Sequence, residues 1–167
     1  MEIIKQPDLF LLLKDKHILL DTSLLIDTLL KPSIFAQFFQ ELKENGAVIT
    51  SIDPVAFEFL KGALDEKRYN EKKKILDGII DAYLPVNKDI FNNVYAMLKE
   101  LGEDGKGIQV TDLLLGGMLM QYPKRLFLFT KNATDFPLNF FELVSVFNFP
   151  STRSIQTYGV YTYNNSE

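Results

Sequence analysis

The order of apolar runs along this chain predicts an α/β domain: a mainly parallel central sheet flanked by helices, in three layers. Three observations predict it. Short, unalternating apolar runs recur at Ile18-Leu19-Leu20, Ala47-Val48-Ile49-Thr50 and Leu126-Phe127-Leu128-Phe129-Thr130, and such runs suit strands covered on both faces. Segments with apolar residues at helical spacing fill the gaps between them. Hydrophobic residues make up 47% and aromatics 13% of 167 residues, enough for one domain, 1–167, with a substantial core.

From the amino end, the first strand closes on Asp21, and Thr22-Ser23 leads into a helix from Leu24. Phe35, Phe38, Phe39 and Leu42 line one helical face after Pro32-Ser33, and Asn45-Gly46 stops that helix before the second strand. Asp53 is placed to cap a helix whose first residue is Pro54, with Val55, Phe59 and Leu60 inward. Residues 65–74 carry charges of both signs and run into Ile75, Leu76, Ile79 and Ile80, which predicts an exposed helix or helical hairpin inserted over 63–82. Weaker strands are expected over 82–86 and 143–147. Ile90, Val94, Met97, Leu98 and Leu101 repeat as a helix that stops at Gly102, and Gly102 to Gly107 reads as a flexible connector. A further helix starts near Val110 and ends before Pro123, with Gly116 and Gly117 allowing close approach of another backbone. Residues 151–167 form a C-terminal extension rich in Tyr, Thr and Asn, with an edge strand expected from Thr157 to Tyr163.

Composition removes several classes of function. Cysteine is absent, which excludes disulfides, thiolate chemistry and cysteine-based zinc sites. No apolar stretch is long enough to span a bilayer, and Met-Glu-Ile-Ile-Lys lacks the character of a signal peptide, so no membrane partner and a cytosolic (cytoplasmic) location are expected. The net charge of −4, from 18 basic and 22 acidic residues, argues against a general nucleic-acid coat. It leaves room for an enzyme that meets nucleic acid through a local patch, and an acidic metal site adds to such a deficit.

The residues that carry chemistry are four acids. Ligands of open parallel sheets bind beyond the carboxyl ends of the strands. Asp21 directly follows an apolar strand, and Asp135 follows the Leu126 to Thr130 strand across Lys131-Asn132-Ala133-Thr134, so both emerge at one edge. Glu58 and Asp112 lie near the beginnings of helices that are otherwise apolar. An unpaired carboxylate is expensive to bury, so each needs a partner, and Mg²⁺ or Mn²⁺ is the natural counter-charge for four converging carboxylates. Each acid also has a plainer account: Asp21 as a helix cap, Glu58 as a solvated surface residue, Asp112 as a first-turn acid favoured by the helix dipole, Asp135 as a turn residue.

Other chemistries find less in the chain. A haloacid dehalogenase-type phosphatase needs a second aspartate where Ser23 stands, and a phospho-receiver domain needs an acidic pair at the first strand. Gly102-Glu103-Asp104-Gly105-Lys106-Gly107 has the wrong spacing for a P-loop. His17, the only histidine, opens a strand and reads as structural.

In order along the chain, Ile18-Leu19-Leu20-Asp21-Thr22-Ser23-Leu24-Leu25-Ile26, Thr50-Ser51 to Gly62 with Glu58, Val110-Thr111-Asp112-Leu113-Leu114-Leu115-Gly116-Gly117, and Leu128-Phe129-Thr130-Lys131-Asn132-Ala133-Thr134-Asp135-Phe136 resemble the motifs of the PIN-domain ribonucleases, including the toxin halves of VapBC-type toxin–antitoxin pairs. The resemblance covers nearly the whole chain from His17 to about Phe149. It implies a PIN-like fold and an endoribonuclease dependent on Mg²⁺ or Mn²⁺. Asp21, Glu58 and Asp112 would be the core acids and metal ligands, Asp135 a fourth acting through water, and Ser23, Thr130 and Asn132 supporting residues that orient carboxylates or phosphate. RNA would be the substrate, and an antitoxin protein and a second copy of the chain the partners it implies. The charged 63–82 segment and the Tyr-rich tail depart from the pattern, and the basic track for RNA would come from Lys67-Arg68, Lys72 to Lys74 or Lys124-Arg125. Phe38, Phe39, Phe140, Phe141, Phe147 and Phe149 either line a partner surface or fill the core, the simpler account. The rival function is a non-catalytic PIN-like module that binds protein or RNA.

Overall fold

The three apolar runs pair side by side at the centre of one sheet. In the computed structural model, which describes residues 2–150 and 154–165, the strands are β1 (Ile4–Lys5), β2 (His17–Leu20), β3 (Val48–Ser51), β4 (Ala82–Tyr83), β5 (Leu126–Thr130), β6 (Phe141–Pro150) and β7 (Ile155–Tyr163). Their order across the sheet is β1-β6-β7-β5-β2-β3-β4. β2 runs parallel to β5 and β3, and β3 parallel to β4. β7 runs antiparallel to both β5 and β6, and β1 antiparallel to β6. The sheet is thus mixed, with three parallel and three antiparallel pairings, where a mainly parallel one was expected. The reason lies in the last connection: β6 and β7 are joined by too few residues for a crossover helix, so β7 can only return antiparallel.

The helices among the described residues are α1 (Leu9–Leu12), α2 (Thr22–Leu30), α3 (Pro32–Glu44), α4 (Asp53–Lys61), α5 (Glu66–Ile79), α6 (Lys88–Leu101) and α7 (Val110–Gln121). Every residue of β5 is buried, as is β2 after His17, and successive strand residues point to opposite faces, so both faces of the central strands are covered. No helix among the described residues is long and apolar enough to cross a membrane.

The mixed-charge segment takes the first of its two expected forms, one exposed helix, α5, whose only buried side chains are Leu76 and Ile79. Several elements differ from expectation. Residues Gly102–Gly107 form a 3₁₀ turn instead of a loose connector, because Gly105 is buried where an added Cβ would stand 3.3 Å from Leu98 and Leu101 side-chain atoms. Asp53 is the first residue of α4 with Pro54 behind it, and Ile52 occupies the capping position. The weak 82–86 strand shrinks to Ala82–Tyr83, whereas the weak 143–147 strand lengthens to Phe141–Pro150. Most consequential is β7. The tail does form a strand, but it lies inside the sheet between β5 and β6, not at an edge. The start of the C-terminal extension, residues 151–153, and its last two residues, 166–167, lie outside the described residues.

The six singled-out phenylalanines are all buried. Phe147 is the hub: its ring lies 4.9 Å from those of Phe38 and Phe129, and 5.0 Å from Tyr158 at an interplanar angle of 8°. These aromatic contacts tie α3, β5, β6 and β7 into one core, worth about 0.5–1.5 kcal/mol per pair beyond burial. Their burial leaves them no part in a dimer or antitoxin surface.

Candidate functional site

The register of β2 against β5 pairs Leu20 with Phe129, so the next residues, Asp21 and Thr130, meet at the carboxyl edge. Thr130 Oγ1 donates to Asp21 Oδ2 at 2.5 Å, Ser23 Oγ donates to both Asp21 oxygens at 2.8 and 2.9 Å, and the Leu24 backbone N–H donates to Oδ1 at 3.0 Å. Asp21 therefore caps α2 and points one oxygen across to β5. It is buried; burial pushes its carboxyl above the usual range, while the bonds from Thr130, Leu24 and Ser23 and the charge of Lys131 pull it back.

Asn132 joins the other acids. Its backbone N–H donates to Thr130 Oγ1 at 3.0 Å, and its side-chain amide donates to Asp135 Oδ2 at 2.5 Å and to Asp112 Oδ2 at 3.4 Å. These bonds fix the first turn of α7 beside the end of β5. Asp112 is half-buried, and its carboxyl is raised to about 7, first by burial, then by the adjoining Asp135 carboxyl and the charges of Asp21, Asp135 and Glu58. Glu58, partly buried on α4, faces the same space.

That space is a cleft of about 370 Å³ walled by Asp21, Thr22, Ser23, Glu58, Asp112 and Lys131 among others. Asp135 joins it through Asn132. The seven residues expected at the site, Asp21, Ser23, Glu58, Asp112, Thr130, Asn132 and Asp135, thus come together at one edge. Among the described residues, no Lys, Arg or His forms an ion pair with any of the four acids.

Of the basic residues on α5, three are engaged within the fold, while Lys67 and Lys74 border a surface hollow apart from that cleft. Lys72 Nζ donates to the Phe59 carbonyl at 2.6 Å, Lys73 pairs with Asp77 at 2.6 Å and Arg68 with Glu71 at 3.8 Å. Lys124 and Arg125 stand just before β5, at the opposite edge from the acids, where His17 also opens β2.

A hard divalent cation fits this donor set in kind. The donors are carboxylate oxygens, their mutual repulsion adds to burial in raising Asp112, and Thr22 Oγ1, in the cleft wall, is buried without a protein partner among the described residues. The spacing is more open than a coordination shell: among the described residues, no three acids or histidines stand close enough together to hold one ion.

Three further residues belong to the surroundings of the site and escaped the sequence reading. Asp27, buried on α2, accepts from Lys131 Nζ at 2.9 Å and, at the same oxygen, from the Tyr158 hydroxyl. Burial and the Asp27 charge push the Tyr158 hydroxyl far above its ordinary range. A lone acid between Leu24-Leu25-Ile26 and Leu29-Leu30 was a legible signal that Asp27 needs a buried partner. Nothing local announces Tyr158.

No protein-family model, no curated protein and no solved structure matches this chain.

Proposed function

We propose that this chain is a PIN-like endoribonuclease that hydrolyses RNA phosphodiester bonds with Mg²⁺ or Mn²⁺, as a toxin of a toxin–antitoxin pair or as an RNA-processing enzyme. The observation that carries the reading is the meeting of Asp21, Glu58 and Asp112 at one cleft, with Asp135 tied to Asp112 through Asn132 and no ion-paired protein cation among the four. Asp21, Asp112 and Glu58 would hold the cation by drawing in from their open spacing, and Asp135 would support it through water. When bound, the ion would activate water for attack on phosphorus and offset charge on the leaving oxygen. The chain's own residues supply orientation. Ser23, Thr130 and the Leu24 N–H fix both oxygens of Asp21. Asn132 links Asp135 to Asp112, so the two carboxylates approach an ion as a unit. The parallel half of the sheet, β5-β2-β3-β4, with acids beyond its carboxyl ends, is the part a PIN-like arrangement requires.

The second reading, a non-catalytic PIN-like module that binds protein or RNA, draws on the open spacing of the acids. Cleavage of a total RNA pool with Mn²⁺ or Mg²⁺ separates the two. Discrete cuts by the wild type, lost in Asp112→Asn and with EDTA, are expected of the nuclease; no cuts, and no thermal shift with Mn²⁺, would leave the binding module.

A further inference from the structure

We infer that Lys131 is the side chain that grips a non-bridging oxygen of the phosphodiester entering the acid cleft, with Asp27 and Tyr158 as positioning residues that hold its ammonium there. The inference rests on the nuclease reading and deepens it, because it names the group that admits an anionic substrate.

Charge makes the first case. The cleft wall carries Asp21, Glu58 and Asp112, and among the described residues lining it Lys131 is the only cation. Three carboxylates outweigh one divalent cation, so a phosphodiester approaching the cleft is still repelled unless a fixed positive group of the protein meets it. The basic residues of α5 do not meet this need, since none of them lines the cleft: Lys67 and Lys74 border a separate surface hollow, and Lys72, Lys73 and Arg68 are engaged on their own helix or by α4.

Placement makes the second. A lysine stem is flexible, and fixing it at the moment of binding costs rotamer freedom. Here folding fixes it beforehand. Tyr158 is fully buried and stacked on Phe147, its hydroxyl donates to Asp27 Oδ2, and Asp27 Oδ2 accepts from Lys131 Nζ at 2.9 Å. A line of fixed contacts therefore runs from the aromatic core to the lip of the cleft.

The plainer account is that Lys131 only neutralises the buried Asp27. Two features go beyond it. The Lys131 side chain is 34% exposed against 12% for Asp27, and it lines the cleft where Asp27 does not. One of its three N–H donors satisfies Asp27, which leaves two to reach an anion. Lys131 also lies between Thr130, which orients Asp21, and Asn132, which orients Asp112 and Asp135, so its reach is set by the strand end that arranges the acids.

Binding of a fluorescein-labelled single-stranded RNA, measured by anisotropy across a salt series in Mg²⁺, tests this in the full chain with Asp112→Asn to prevent cutting. Lys131→Met leaves Asp27 without a counter-charge, so the neutral pair Asp27→Asn with Lys131→Met is measured beside it. Both are expected to weaken binding about tenfold and to flatten the salt dependence by about 0.7, the slope of one phosphate contact on a single strand. Lys131→Arg should restore most of the affinity. In chains that keep Asp112, kcat/KM should fall about a hundredfold with Lys131→Met, the size expected for loss of one charged clamp, while the Mn²⁺ thermal shift stays. Tyr158→Phe keeps the stack and should lower kcat/KM severalfold without changing the salt slope. Unchanged affinity and slope in the neutral pair, with cutting retained when the same pair is made in a chain that keeps Asp112, would overturn the role of Lys131 and spare the nuclease. A wild type that neither binds the probe nor responds to Mn²⁺ would overturn both.

Discussion

Asp112 is where the charge of the site is concentrated. Its folded-state pKa of about 7 stands above the ordinary 3.8, so the folded chain binds a proton that the unfolded chain releases. The contribution is fully present below about pH 4 and is lost as pH rises through about 7, because stability falls wherever the unfolded state binds fewer protons. Metal-free wild type should therefore lose thermal stability between about pH 4 and 7, a trend that a Tm series in EDTA would show and that Asp112→Asn should flatten. At pH 8 in EDTA the Asn variant should melt about 2–4 °C higher than wild type, the equivalent of roughly 1 kcal/mol for a chain of this size. Millimolar Mn²⁺ should reverse that order by stabilising wild type alone. Thr130 acts oppositely. Thr130→Val removes a hydrogen bond to the buried Asp21 carboxylate and should cost about 1.5–3 kcal/mol in urea unfolding. The acids themselves were legible in the sequence: Asp21 and Asp135 follow strands and Asp112 opens an apolar helix, whereas Glu58, expected near a helix start, is the sixth of nine residues in α4. Lys131 and Asp27 stood in the same segments, but their pairing across the strand–helix boundary was not.

At the scale of elements, the packing of α6 on α7 decides how the helix bearing Asp112 is held. A Cβ added at Gly117 would stand 2.9 Å from the Ile90 carbonyl oxygen and 2.9 Å from Val94, and the carbonyl belongs to backbone that cannot yield. At Gly116 the nearest atoms are Met97 Cε and Phe141 Cζ, both at 3.1 Å, and a methionine end can move. Overpacking costs about 1–3 kcal/mol, against a gain of about 1 kcal/mol in helix propensity for Gly to Ala. Gly117→Ala should be net destabilising and Gly116→Ala close to neutral, compared by their urea midpoints. The close approach was legible from the two adjacent glycines; which one touches backbone was not, because that depends on the rotation of α7 about its axis. Periodicity likewise marked α5 as helical and exposed, yet could not distinguish one helix from a hairpin, since Tyr69-Asn70 interrupts its charges where a turn could form.

For the whole molecule, β7 is the strand on which the sheet depends. It carries hydrogen-bonded pairings to both β5 and β6, and its buried residues Tyr158, Val160, Tyr161 and Thr162 sit in the core. A chain ending at Pro150 should consequently fail to fold, seen as loss of cooperative thermal unfolding by circular dichroism, whereas a dispensable extension would leave it intact. By itself the sequence determined the strands that carry Asp21 and Thr130, the helices that carry Glu58 and Asp112, and the shared edge of the acids. Those follow from local signals: apolar runs, turn residues and the rule that a strand delivers its next residue to the sheet's end. Tertiary structure alone decided that the tail enters the sheet, that the sheet is mixed, and that Tyr158 reaches Asp27 behind the acid cleft. Such pairings join residues distant in sequence. Their free energy comes from burial and hydrogen bonds that exist only once the sheet has assembled, so no local pattern encodes them.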